Sequence, residues 1–421
     1  MKYSLVAALG AAAILVPAVS GQVISYSAGT TDLTFLTGTK TDAPGKGTSV
    51  PSSAYPNYTS QITLGGNKTA STISGSLFPS SPTGANATAT SSQAPKNTQP
   101  CNQYVEFCKR KYSNITMVGC HNSPFVRPGN VASNQELPVK LQLNDGVRFL
   151  QGQIQWPTNG TVPHFCHTSC DLLDAGPIYQ WLGEVKNWVD AHPYDVVTIL
   201  LGNGNYSDPS LYVPFIEQSG ILKYTYEAPL LPMRLNDWPT LEELILTGKR
   251  VIMFMDYNAD QKKYPWLLDE FSQMWETPFD PTDRKFPCTV QRPPDLKPED
   301  AKNRMYLMNH NLNVEFNVFN LQLLAPAVAV LNETNAFNGT GSAGLAANNC
   351  RSDWGRAPNI INVDYYNYGT PNGSVFEAAA RVNNVTYKWD CCGKLSAGTI
   401  AGVPVAWLSF AAMFTASYLL L

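Results

Sequence analysis

Ile115-Thr116-Met117-Val118-Gly119-Cys120-His121-Asn122-Ser123 is an apolar run that breaks at a glycine into a polar cluster carrying a histidine. A short strand ending this way aims its last residues at a cleft, because loops beyond strand ends carry most chemistry. A second cluster, His164-Phe165-Cys166-His167, follows the next strand-like run, Arg148 to Gln155. The expectation is that His121 and His167 meet across one pocket.

Outward from these stretches, strands and helices alternate. Gln135 to Asn144 reads as a helix from its position, and Ile178 to Ala191 repeats Ile178, Leu182, Val185 and Trp188 at helical spacing before stopping at His192-Pro193. Val196 to Leu201 and Arg250 to Met255 are continuous apolar runs, as in strands buried on both faces of a parallel sheet. Thr240 to Thr247 reads as a short helix, Tyr264 to Trp275 and Phe319 to Leu331 as further helices, Met305 to Met308 and Ile360 to Val363 as strands, and Val375 to Val382 as a last helix. This order gives an α/β fold, and for one domain of this size a TIM-type (β/α) barrel. Six strands are clear, so the barrel is irregular or its remaining strands lie between Leu211 and Thr240.

The ends read differently. Residues 1–21 have the charge, apolar run and small residues of a secretory signal peptide. Residues 22–100 are rich in Ser, Thr, Gly and Pro, poor in large apolar residues, and read as a glycosylated, disordered stalk. The barrel is expected over residues 101–387. Residues 388–421 combine a small-residue stretch with an uncharged apolar tail, which reads as a GPI-anchor signal, with a retained membrane helix as the alternative. Ten Asn-x-Ser/Thr sequons agree with secretion, so the expected destination is the cell surface, at the plasma membrane or wall. Nine cysteines in an oxidising compartment should mostly pair, by spacing Cys101 with Cys108, Cys166 with Cys170 and Cys288 with Cys350. A net charge of -3 with no basic stretch excludes nucleic acid as the expected partner, and a monomer is expected.

The core resembles the phosphatidylinositol-specific phospholipase C-like phosphodiesterase superfamily, in its secreted fungal-type form. The carriers are Val118 to Ser123, Gly146-Val147-Arg148-Phe149-Leu150-Gln151, His164 to Cys170 and Ile361-Asn362-Val363-Asp364-Tyr365-Tyr366. The resemblance implies that His121 activates the inositol 2-hydroxyl for attack on phosphorus and that His167 protonates the departing lipid alkoxide. Imidazole suits both tasks near neutral pH. It further implies that Asp364 orients a histidine and that Asn122 matches a calcium-binding asparagine. The family's acidic or arginine positions after the second strand are Gln151 and Gln153 here, and a further acidic ligand falls near Gly202. Calcium needs several oxygens and usually more than one carboxylate, so no cofactor or metal is expected. Asp256 and Asn309, at later strand ends, are expected near substrate.

Two functions follow as expectations: a phosphoric diester hydrolase acting on a phospholipid or GPI-type headgroup, or a catalytically impaired surface binding or wall protein on the same barrel. A glycoside hydrolase would need two carboxylates facing each other, with Asp256 and Asp364 as the candidates.

Overall fold

The computed structural model describes residues 50–56, 58, 60–64, 98–318 and 321–393. Eight short parallel strands curl in sequence order: β2 (Met117–Cys120), β3 (Phe149–Gln155), β6 (Val197–Gly202), β8 (Val251–Met255), β9 (Leu267–Asp269), β10 (Met274–Glu276), β11 (Met305–Asn309) and β14 (Ile360–Val363). β14 pairs with β2, so the sheet turns through a TIM-type barrel. It stays open at one seam, because among the described residues β9 and β10 do not pair and only the four-residue helix Glu270–Gln273 joins them.

Period-two alternation sorts the strand residues into two apolar layers. Leu150, Ile199, Leu201, Met253, Met255, Tyr306 and Ile361 belong to the outer core cluster, which also takes in Ile178, Leu182, Val185 and Val189 of the helix Ile178–Ala191 and the Trp275 ring stacked on Tyr306. The alternate residues Met117, Phe149, Leu200, Phe254, Leu268, Met274, Leu307 and Ile360 form the barrel's apolar floor. Two residues further along each strand the same inward register turns polar or loses its side chain: Gly119, Gln151, Gly202, Asp256, Glu270, Glu276, Asn309 and Asn362. Four further from Met117 and Ile360 come His121 and Asp364. The functional end of the barrel is thus the continuation of its core pattern.

The helix Ile178–Ala191 and the strand Ile360–Val363 have the expected bounds. The expected disulfides Cys101–Cys108, Cys166–Cys170 and Cys288–Cys350 are present; Cys391 and Cys392 pair with each other, and Cys120 is free and buried.

Four expectations need correction. The two barrel strands not seen in the sequence do not lie between Leu211 and Thr240; they are β9 and β10, which fall in and one residue beyond the stretch Tyr264 to Trp275 read as a helix. They are so short, at three residues each, that their apolar positions also satisfy a helical period. Phe319 to Leu331 is not one helix, because β12 (Asn313–Val318) and β13 (Leu321–Pro326) pair as an antiparallel hairpin, in keeping with Pro326. The cluster His164 to His167 is itself a strand, β4 (His164–His167), in a hairpin with β5 (Leu173–Pro177) off the end of β3. Two pieces of the Ser/Thr-rich stretch carry structure: the turn Ser52–Ala54, and β1 (Ile62–Thr63), which pairs antiparallel with β7 (Leu230–Leu231). The signal peptide, residues 22–49, 57, 59 and 65–97 of that stretch, and the C-terminal tail from residue 394 lie outside the described residues. Among the described residues no helix is long and apolar enough to cross a membrane.

Candidate active site

The end of β2 turns through Asn122, whose φ of 49° lies in the left-handed region that asparagine tolerates. This turn sets His121, almost fully buried, against the end of β14. His121 Nδ1 lies 2.8 Å from Asp364 Oδ1. A carboxylate has no proton to give, so Nδ1 carries it and Nε2 is left for chemistry. Burial works to lower the His121 pKa, but the charge and hydrogen bond of Asp364 outweigh it and the net shift is upward.

One loop between Ala132 and Gln135 holds both histidines. Asn134 Nδ2 donates to Asp364 Oδ1 at 2.9 Å, and Gln135 Nε2 donates to the backbone carbonyls of His121 and Val363 at 2.8 and 3.0 Å. On the other side, His167 Nδ1 donates to the Ala132 carbonyl at 2.5 Å, and its ring stacks on Phe125 with centroids 5.0 Å apart. His167 therefore presents Nε2 as its lone-pair nitrogen. Burial, with a smaller push from the charge of nearby His121, lowers its pKa to about 4. The two imidazoles are thus neighbours with opposite shifts, an arrangement that separates acid and base roles. Asn134 and Gln135 are functional positions that sequence reading missed, because neither belongs to a strand end or a motif.

The residues in place of the family's charged positions are engaged. Gln151 Oε1 accepts from Asn362 Nδ2 at 2.8 Å. A side chain at Gly202 would collide with the Gln153 amide, so the glutamine occupies the space an acid at 202 would need. Asn122 Nδ2 donates to Asn134 Oδ1 at 3.3 Å, and its own buried Oδ1 is left without a partner. Gln151, Gln153 and Gly202 bring no carboxylate to this corner, and the Asp364 carboxylate is engaged through Oδ1 by His121 and Asn134, so the set is a poor fit to calcium, which usually takes more than one carboxylate. Two His/Cys/Asp groupings lie close enough to share an ion, His164 with Cys166 and Asp174, and Asp145 with Cys391 and Cys392. Their cysteines are all tied in disulfides, which removes the thiolates a metal would take.

Across the mouth the structure gathers a second polar group. Asp256 Oδ1 accepts from the backbone N–H groups of Asn203 and Tyr257 at 2.6 and 2.7 Å, and burial pushes its pKa up to about 6. Fully buried Glu276 accepts from Arg292 Nη2 at 3.0 Å through Oε1 and from Asn309 Nδ2 at 3.0 Å through Oε2. The Arg292 guanidinium lies over Phe279, Phe271 and Tyr257, with Cζ 4.4, 5.2 and 5.4 Å from the ring centres. Phe279 also meets His121, ring centres 6.5 Å apart, and so links the two groups. Glu270 is fully buried with both carboxylate oxygens free of hydrogen bonds; burial and then the charge of Glu276 raise its pKa. Asp280, in the loop beside His121 and Arg292, is pushed up to about 6 by burial. Glu270, Glu276, Asp280 and Arg292 were all missed in the sequence; an inward register for β9 and β10 would have found the two glutamates.

The structure does not bring the remaining histidines into the mouth chemistry. His164 bonds Asp174 through Nδ1, His192 stacks on Trp188, and buried His310 bonds the Thr334 carbonyl. Asp364 Oδ1 is engaged by His121 and Asn134, and Asp256 Oδ1 by two backbone N–H groups, so each of the two glycoside candidates is tied into its own side of the mouth.

The PI-PLC X domain family model (PI-PLC X 1) matches residues 107–383. An uncharacterized secreted protein of Arthroderma benhamiae is 53% identical over 312 residues, which span 73% of this chain and 70% of that one. PI-PLC X domain-containing protein 1 of the same organism is 45% identical over 287 residues, 68% of this chain and 90% of that one. Among solved structures, a mutant phosphatidylinositol-specific phospholipase C from Staphylococcus aureus aligns at 14% identity with a TM-score of 0.43, covering 65% of this chain and 94% of that one. The Listeria monocytogenes enzyme aligns at 12% and 0.40, covering 65% and 95%. Those two likenesses are too low to carry weight, and the assignment rests on the family match and the Arthroderma relatives. With the barrel order and the matched span in agreement, the chain belongs to the PI-PLC X domain family.

Proposed function

We propose that this protein is a phosphoric diester hydrolase of the phospholipase C type, cleaving an inositol phospholipid or GPI-type headgroup without a metal. The single observation that carries the reading is the pair of imidazoles held by one loop, His121 backed by Asp364 and His167 backed by the Ala132 carbonyl. His121 Nε2 takes the proton of the inositol 2-hydroxyl as that oxygen bonds to phosphorus. The phosphorus–oxygen bond to the lipid breaks, and His167 Nε2 gives its proton to the departing alkoxide, leaving a cyclic phosphate and a neutral alcohol.

The shifts add a condition. Asp364 stabilises the imidazolium that forms on His121, as a base requires. His167 is held neutral in the free protein down to about pH 4. Its proton must therefore arrive with the substrate, because the negative phosphate favours the charged imidazole and raises its pKa.

The name of the Arthroderma relative supports secretion, and the sequence supports a signal peptide and a lipid anchor at the cell surface. The test is phosphodiester cleavage by the secreted full chain on inositol phospholipid vesicles and GPI-anchored protein, with and without a chelator, beside the His121→Ala, His167→Ala double variant. Turnover that survives chelation and vanishes in the variant supports the reading. Equal rates in the two proteins on both substrates overturn it in favour of a binding or wall role, the alternative that Gln151, Gln153 and Gly202 favour.

A further inference from the structure

Residues 50–56, 58 and 60–64 belong to the stretch whose composition predicts a stalk, yet they are fastened to the barrel at three levels. At the lower level β1 pairs with β7, Leu64 N–H donates to the Pro229 carbonyl at 2.9 Å, and Gln61 Nε2 reaches the Pro232 carbonyl at 2.9 Å and Asp237 Oδ2 at 2.6 Å. Midway, Lys262 Nζ sits 5.7 Å from the centre of the Tyr58 ring. At the upper level Ala54 is 1% exposed, and the Tyr55 ring meets Tyr257 and Phe271 with centroids 5.5 and 4.9 Å apart. Tyr257 follows Asp256 at the end of β8, and Phe271 follows Glu270 at the end of β9. These are two of the three rings on which the Arg292 guanidinium rests.

We propose that residues 50–56, 58 and 60–64 form a strap that completes the wall of the mouth beside β8 and β9, and that Tyr55 is a positioning residue for Arg292, acting through Tyr257 and Phe271. Arg292 has one carboxylate hydrogen bond, to Glu276, and otherwise rests against aromatic faces. A guanidinium held this way depends on those rings staying in place, because a cation on an aromatic face gains most where water is kept out. Tyr55 packs against the Tyr257 and Phe271 rings. Without it, Tyr257 and Phe271 gain freedom and solvent reaches Arg292. The strap then governs how firmly the cationic side of the mouth holds a polar headgroup, while the histidine side is untouched.

The test uses the full secreted chain as wild type, Tyr55→Ala, Tyr55→Phe and Gln61→Ala. Phenylglyoxal modification of individual arginines is followed by peptide mass mapping. Arg292 should react slowly in wild type and about tenfold faster in Tyr55→Ala, as expected for a segment whose local opening has become easier. Tyr55→Phe keeps the ring and should restore slow labelling. Arg148, bonded to Asp195 away from the strap, is the control and should not change. Gln61→Ala loosens the lower anchor without touching the mouth, and serves if Tyr55→Ala fails to fold; it should raise Arg292 labelling in the same direction. Equal Arg292 rates in wild type and in the folded variants overturn the proposal, as does fast labelling in wild type. The kinetic arm rests on the hydrolase reading: Tyr55→Ala should raise KM on inositol phospholipid vesicles with kcat nearly unchanged. If wild type shows no turnover, the hydrolase reading falls while the labelling still decides the strap.

Discussion

The two sides of the barrel mouth come from one inward register but behave as different materials. On the β14–β2–β3 side the chemistry-bearing side chains are held in defined pairs: Asp364 holds His121, Asn362 holds Gln151, and one loop carbonyl holds His167. On the β8–β11 side Asp256, Glu270 and Glu276 crowd around one cation, Arg292, and burial drives Asp256 and Glu270 toward their neutral forms. The difference teaches that burial alone does not make a proton-transfer site. It takes an opposite charge that stabilises the ionised form against burial, which His121 has in Asp364, whereas burial and the like charge of Glu276 push Glu270 toward its neutral form.

The largest expected effect tests that division directly. His121→Ala and His167→Ala should each lower kcat by about 10²–10⁴-fold, the usual worth of a positioned acid or base. Asp256→Asn should cost less than about tenfold, because its backbone donors still meet an oxygen at that position. Comparable losses in steady-state assays of all three would break the comparison. The next effect is on folding: Arg292→Met leaves Glu276 buried without its cation and should cost about 3–5 kcal/mol in denaturant unfolding. The exposed pair Arg381–Glu377 is the contrast, and Arg381→Met should cost under about 1 kcal/mol.

How much of this was legible in the sequence follows the same line. The barrel, the long helix Ile178–Ala191 and His121 could be read because long periodic runs with clear stops signal themselves. β9 and β10 could not, since three residues are too few to tell period two from period 3.6. That one ambiguity hid Glu270 and Glu276, whose inward positions exist only once the strands are known. Arg292 lies in the loop beyond β10 and reaches the mouth through a backbone bridge to Glu276, a contact between residues with no shared local pattern. The strap was hidden for a different reason: its composition is that of a chain too polar to fold alone, and it is ordered by pairing with β7 and by two aromatic rings supplied from elsewhere.

A finer effect concerns pH on the histidine side. Asp364→Asn keeps the shape but removes the charge that raises the His121 pKa, so that pKa should fall. For kcat/KM of the free protein, His121 must be neutral and His167 protonated. The profile is therefore a bell whose acid limb lies near pH 4, from His167, and whose alkaline limb lies above 6.5, from His121. The variant should lose about ten- to a hundredfold in rate, as for a misplaced tautomer or a weakened base, and its alkaline limb should move to lower pH. An unmoved limb would assign that titration to another group.

The smallest effect probes the carboxylate side through Glu270. Its pKa is raised in the folded protein, first by burial and then by the charge of Glu276. Above the unfolded value of about 4.5 the folded chain holds on to a proton more strongly than the unfolded chain does, and stability falls as pH rises through that range. Glu270→Gln preserves the size and is neutral at every pH. Its Tm should match wild type near pH 4 and exceed it by a margin that widens as pH rises above that point, as scanning calorimetry across the range would read. A variant that instead loses stability as pH rises would mean that Glu270 is ionised in the folded state and paired with Arg292. The two sides of the mouth would then share one logic, with every charge partnered, and the contrast between them would disappear.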